Sequence, residues 1–457
     1  MILLRSSSPT RTCRLATLGC KVNQYETQYV KETLEINGYR EAADSEPADL
    51  CVVNTCTVTM EGDAKSRQLI RRLHQTNPAA AIVVMGCYAT RDPDAVAKIP
   101  GVTQVITDKQ RLAQELKPFG VERLPRGIRR FDGHQRAFVK VQDGCILNCT
   151  YCIIPTVRPG LRSRPAEEIV EEVTNLVAAG RQEIVLTGIH LGHYGIDLSK
   201  GQAKSNWCRL WNLVEQLDCL DGDFRIRLSS LEAAEARDDL VSTLARSRRV
   251  VPHLHLCLQS GSDRILERMR RRYRRAGFVE RCRRIRQALD LPALTTDVIV
   301  GFPGETDADF EATCDVVREA GFNKVHVFSW SPRRGTPAAE FADRVAPDVI
   351  ARRREHLQAL AAEMAAAYHR QLLGRQLDVL VEGADVRRPG NVVGTSCRYA
   401  MVSFPAHAQA LLGRRAPVRI IESSRDGLIG EPVPYDNADL PGPSHIHTGR
   451  LPLTLVG

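Results

Sequence analysis

Three cysteines fall within the run Asp143-Gly144-Cys145-Ile146-Leu147-Asn148-Cys149-Thr150-Tyr151-Cys152. Thiolates spaced CxxxCxxC can wrap an iron–sulfur cube, ligating three irons and leaving the fourth open to a substrate or cofactor. A fourth cysteine would close that iron, so a set of three points to chemistry on the open metal. A zinc loop is the competing structure. Structural zinc usually takes four ligands from two CxxC knuckles, however, and no second knuckle lies nearby.

A second set is spread wider. Cys20 lies in Thr17–Thr27 (TLGCKVNQYET), Cys56 in Val53–Thr59 (VNTCTVT) and Cys87 in Gly86–Ala89 (GCYA). Each follows a short run with strand character. In a parallel α/β sheet the strand C-termini share one edge, so these thiols could converge in space. Gly19 and Gly86 would ease a close backbone approach. Spacing alone leaves three unrelated, half-buried cysteines as an equal reading. Their common place after a strand weighs against it.

The elements that must position these residues are those of an α/β protein. Strand candidates Arg14–Leu18, Leu50–Asn54, Ala81–Met85 and Val102–Thr107 alternate with helical patterns such as Gln24–Ile36, stopped by Asn37-Gly38. Val121–Phe131 reads as a linker. A second α/β run offers six strands: Ala137–Gln142, Glu183–Thr187, Phe224–Ser229, Leu254–Leu258, Thr295–Val300 and Lys324–Ser329. Six such units suggest a partial barrel with its working loops at the strand C-termini. A helix from about Asp348 to Leu373 follows, and then short alternating runs punctuated by glycine, as in a small β-barrel. The expected layout is an N-terminal parallel-sheet domain at 11–120, a partial (β/α)6 barrel at 131–365, a small β-barrel at 366–432 and a flexible Pro/Gly-rich tail at 433–457.

Placed in this order, the motifs resemble those of the radical S-adenosylmethionine (SAM) methylthiotransferase family, over about Arg14 to Glu431. The segments around Cys20, Cys56 and Cys87 look most like the branch acting on N6-threonylcarbamoyladenosine in tRNA. Leu186–Gly192 (LTGIHLG), Gln259–Asp263 (QSGSD) and Thr295–Thr306 (TTDVIVGFPGET) agree with that branch. The resemblance implies an auxiliary [4Fe–4S] cluster on Cys20, Cys56 and Cys87, and a SAM-cleaving [4Fe–4S] cluster on Cys145, Cys149 and Cys152. It also implies a C-terminal TRAM domain that grips RNA. One SAM would give a methyl group and a second a 5′-deoxyadenosyl radical, which takes hydrogen from C2 of the modified adenosine before sulfur is captured. The target base would come from an unpaired anticodon loop, where it can be splayed into a pocket. Gly188, Ser229, Gln259 and Asp297 are the expected SAM contacts, with an electron donor such as flavodoxin or ferredoxin and a sulfur donor as further partners. Cys257 stands where the family pattern has proline, and Pro159-Gly160 replaces a single glycine.

Two further expectations concern charge. Arg333 and Arg334 follow the last barrel strand, and a bidentate arginine contact there would read the carboxylate of the threonylcarbamoyl group. The basic run Arg268–Arg275 is either a solvated helix face or a phosphate contact. His253 and His255 fit a buried strand and are given no role. Overall, a net charge of +9 suits a polyanionic partner without requiring one. No signal peptide or spanning apolar run is evident, so a cytoplasmic place is expected, with the 14 cysteines as ligands or buried thiols. The competing functions are the same chemistry on another tRNA adenosine or a ribosomal-protein aspartate, and a non-catalytic, metal-stabilised RNA-binding protein.

Overall fold

The computed structural model describes residues 11–203, 206–424 and 427–433. Beyond Val433 the expected flexible tail lies outside the described residues. The N-terminal sheet contains β1 (Arg11–Thr17), β2 (Tyr39–Glu41), β3 (Leu50–Thr55), β4 (Ala81–Gly86) and β5 (Val102–Val105), all parallel in the order β2-β1-β3-β4-β5. Every residue of β3 (LCVVNT) is buried, as expected of a central strand covered by helices on both faces. β2 escaped the sequence pattern because it is a three-residue edge strand with only Tyr39 buried.

The central unit is an arc of six main strands: β6 (Ala137–Asp143), β8 (Glu183–Gly188), β9 (Arg225–Leu228), β11 (His253–Cys257), β12 (Ala293–Val300) and β13 (Lys324–Ser329). Two short strands, β7 (Arg162–Ser163) and β10 (Leu231–Glu232), pair with β6 and β11. The arc forms as two sheets joined where Ile226 bridges Val250 in parallel register. β6 and β13 are not neighbours in either sheet, so the barrel is open between them. The strap 121–131, expected as a linker, is packed. Val121, Ile128 and Phe131 are buried, and Glu172 and Glu32 accept the N–H groups of Ile128 and Arg129, each at 2.8 Å.

At the C-terminus β14 (Gln376–Ala384), β15 (Asn391–Ser396), β16 (Met401–Pro405), β17 (Arg415–Ser424) and β18 (Gly427–Pro432) close into a barrel, which leaves no sheet edge open. The helix before it runs unbroken from Pro347 to Arg370. The boundary expected at 365/366 therefore falls inside a helix and needs correcting: the chain changes texture only after Arg370. Arginines of β9 tie the units together. Arg225 donates to the carbonyls of Asp378 (2.7 Å) and Thr395 (2.9 Å), and Arg227 to that of Ser396 (3.1 Å). No helix among the described residues is long and apolar enough to cross a membrane.

Candidate functional site: two cysteine triads at the barrel mouth

Each N-terminal cysteine sits just past a sheet strand. Cys20 caps the helix Lys21–Ile36, Cys56 follows β3, and Cys87 opens the short helix after β4. The turns that present them require glycine. Gly19 and Gly86 have φ of +106° and +101°. A Cβ on Gly19 would stand 3.1 Å from the Cys56 sulfur, and one on Gly86 only 2.4 Å from the Thr55 carbonyl oxygen. Asn23 fastens the loops to each other, its Nδ2 donating to Leu18 O (2.8 Å) and Thr55 O (3.0 Å). Burial raises the Cys56 thiol, and nearby Cys87 and Cys20 raise it further, so the three sulfurs share one electrostatic neighbourhood.

The CxxxCxxC loop leaves the end of β6. The N–H of Leu147 donates to Cys145 Sγ at 3.4 Å, and Arg271 Nη1 donates to Cys149 Sγ at 3.3 Å. His190 Nδ1 stands 3.6 Å from Cys145 Sγ, with Glu235 against its ring and that of His193. Burial pushes the thiols of Cys145 and Cys152 up to about 11 and about 12. Thiolates form there only with a compensating cation. Three thiols on one loop, donors already aimed at two of them, and a need for positive charge fit an iron–sulfur cluster with one open iron. All fourteen cysteines are free.

One residue joins the two triads. Arg158 is 5% exposed and donates through Nε to Cys87 Sγ at 3.2 Å. Its Nη1 reaches Glu26 and Asp143, both at 2.8 Å, and its Nη2 reaches Asn23 Oδ1 at 2.8 Å. Asn23 and Glu26, three residues apart, thus turn one helix face toward the barrel. Burial alone would raise the Glu26 carboxyl. Arg158, Lys109 and Lys140 override that and hold it well below the usual range. Cys87 also packs on Ile153 and Val157 beside the second triad. The two cysteine sets accordingly face each other across a buried ionic lattice.

The other expected site residues divide. Ser229 and Asp297 line a cavity of about 270 Å³ inside the arc, with Lys21, His253 and His326 also on its wall. Gln259 sits just past β11 with a φ of +63°, a strained conformation for a non-glycine residue, held by Gln259 N to Asp297 O at 2.8 Å. Gly188 packs on Gln142, whose Oε1 would stand 2.9 Å from an added Cβ. The expectation for Arg333 is wrong. The residue is 5% exposed and is engaged by Thr57 and by Asp63 at 2.7 Å, so it clamps the N-terminal domain to the barrel and is not free for a substrate carboxylate. Arg334 is exposed. The basic run is not a uniform helix face. Arg271 turns inward to Cys149 and to Glu232 (2.8 Å), and Tyr273 OH donates to the carbonyls of Cys257 and Leu258. His253 and His255, read as plain strand residues, line the cavity. Only their period-two alternation with apolar neighbours could have placed them there.

A three-thiol loop at the mouth of a six-stranded partial barrel defines a radical SAM enzyme, and residues 139–317 match the radical SAM superfamily. Residues 12–108 match the uncharacterized protein family UPF0004, and residues 370–433 the TRAM domain. The fold is similar to that of the radical SAM methyltransferase TsrM from Kitasatospora setae, at a TM-score of 0.52 and 15% identity over 72% of this chain and 77% of that one. The chain is 39% identical to the threonylcarbamoyladenosine tRNA methylthiotransferase MtaB of Chlamydia pneumoniae, over 92% of this chain and 98% of the relative. It is likewise 39% identical to that of Bacillus subtilis, over 90% and 94%. A tRNA-2-methylthio-N(6)-dimethylallyladenosine synthase of Acidothermus cellulolyticus is 36% identical, over 83% and 79%. The chain belongs to the radical SAM methylthiotransferase family, whose members work with SAM and two [4Fe–4S] clusters.

Proposed function

We propose that this chain adds a methylthio group to C2 of N6-threonylcarbamoyladenosine beside the tRNA anticodon. The observation that carries the reading is the pair of cysteine triads meeting across Arg158 at the mouth of a barrel whose lumen is hollow. Cys145, Cys149 and Cys152 would hold the cluster that binds SAM, and Cys20, Cys56 and Cys87 the auxiliary cluster. Bound there, these groups would supply the radical that takes hydrogen from C2 and the sulfur that replaces it. The chain's own part is placement. Arg158 fixes the distance between the two cluster seats, and Arg271 and the Leu147 N–H donate to the sulfurs of the CxxxCxxC loop. Ser229, Asp297 and Gln259 lie where SAM would rest. The closed C-terminal barrel would hold the RNA body, and the base would be turned out of its loop into the lumen. An electron donor such as flavodoxin or ferredoxin and a sulfur donor complete the reaction, in the cytoplasm. The test compares the wild type with a Cys145/Cys149/Cys152→Ala variant after anaerobic reconstitution. About eight irons per chain should fall to about four, with methylthiolation of tRNA lost. About four irons falling to none would remove the auxiliary cluster and, with it, sulfur insertion.

A further inference from the structure

The lumen of the barrel contains one cation that no carboxylate answers among the described residues. Arg136 and Arg227 line the cavity, but both lie against Glu183, and Arg136 also meets Glu382. Asp297 stands 3.2 Å from His255 Nε2. Lys21, on the same wall, makes no hydrogen bond or ion pair among the described residues. An ammonium on a cavity wall with no ion-pair partner among the described residues suits a ligand that brings a negative charge.

We infer that Lys21 receives the carboxylate of the threonylcarbamoyl group, so that the lumen itself separates this nucleotide from the dimethylallyl one. The inference rests on the function proposed above. It takes over the role expected of Arg333, which is engaged by Asp63. The wall supports it. Arg227 Nη1 and His253 Nδ1 are buried with no hydrogen-bond partner among the described residues. A hydrocarbon tail packed among them would leave those groups unpaired, whereas a carboxylate, a hydroxyl and a urea can answer them.

Position supports it as well. Lys21 directly follows Cys20, at the edge of the auxiliary cluster seat. In an adenine ring C2 and C6, the carbon that carries N6, both flank N1, so a cation at that edge can hold the N6 substituent while C2 faces the cluster. The way in is the gap between β6 and β13. Arg136 lies just ahead of β6, and His326 and Phe328 come from β13. Phe328 is 50% exposed, a ring at the doorway on which an unstacked base can lie.

The test measures binding without turnover. Reconstituted holoenzyme, with SAM withheld, is titrated with four anticodon hairpins. They carry threonylcarbamoyladenosine, its neutral methyl ester, dimethylallyladenosine or plain adenosine. Wild type should prefer the free carboxylate over the ester by roughly ten- to a hundredfold, the size of one charge-assisted contact in a partly buried site. Lys21→Met should bring that ratio near one and leave the plain hairpin unchanged. Lys21→Arg should restore most of it and shows that the helix start tolerates substitution. A Lys21→Met ratio equal to wild type overturns the inference. So does an equal loss on all four hairpins, which would make Lys21 a phosphate contact. A wild type that binds the dimethylallyl hairpin best would instead overturn the proposed substrate.

Discussion

Replacing Arg158 with methionine removes the central ion of a lattice that contains Glu26, Asp143, Lys109 and Lys140. Breaking a buried pair from one side costs about 3–5 kcal/mol, because the remaining charge loses its compensation. Here two lysines still neutralise the two carboxylates, which places Arg158→Met at the lower end, about 3 kcal/mol. Glu26→Gln is the harsher change, since it leaves three cations facing Asp143 alone, and about 4–5 kcal/mol is expected. The double variant restores the wild-type excess of one positive charge, so its cost should fall short of the sum of the two by about 1 kcal/mol or more. Anaerobic thermal melts of the three variants give the cycle, with Arg158→Met expected to lower the melting temperature by about 5 °C. Single variants that melt within about 1 °C of wild type, or strictly additive effects, would refute the lattice as a strut. A second readout addresses function. If Arg158 sets the separation of the two cluster seats, the magnetic coupling between their reduced clusters should weaken in Arg158→Met while iron content holds.

Gly86→Ala should cost well over 1 kcal/mol and lose the auxiliary cluster alone, since its Cβ would stand 2.4 Å from backbone oxygen at a φ of +101°; iron analysis should show about four irons remaining. Arg333→Met should loosen the N-terminal domain by about 3 kcal/mol and leave the nucleotide preference intact, as hairpin binding can show. Loading iron into the apoprotein at neutral pH should release protons, because burial holds Cys145 and Cys152 as thiols at about 11 and about 12; a pH-stat reads the release, and iron affinity should rise with pH. Glu26 and Glu183, once their burial is outweighed by Arg158 and Arg225 respectively, are held well below 4.5, so their contribution is complete above that pH. It is lost only as pH falls through the lowered values, so the share of these two carboxylates should appear as a decline in melting temperature below about pH 4.5, absent from a Glu26→Gln variant for its part.

The architecture was legible wherever period and composition spoke for themselves. β3 and β4 read as buried strands because LCVVNT and AIVVMG are β-branched runs, and Cys20, Cys56 and Cys87 were visible as a set through their shared place after a strand. What escaped depends on three-dimensional pairing. Arg333 and Arg158 are both arginines in loops after strands, and nothing local shows that one is consumed by Asp63 and the other by Glu26, more than a hundred residues away. The basic run around Arg271 misled for the same reason, since Glu232 and Cys149 come from other strand ends. The lumen histidines looked ordinary because a barrel interior and a buried sheet face share one alternation.

The arginines of β9 have a consequence for how RNA is read. They reach through the floor of the catalytic barrel to main-chain carbonyls of the C-terminal one, while Tyr399 stacks on His253 with ring centroids 4.3 Å apart. A gripping module fastened this way cannot swing on a tether. It works as a ruler, with the interval between the RNA footing and the reaction chamber built into the scaffold. Selection of one nucleotide in a loop then needs no reading of its neighbours' bases, because only the position at the set distance reaches the doorway. Lengthening the chain between Arg370 and Gln376 by a few flexible residues would leave each module intact and slacken that ruler.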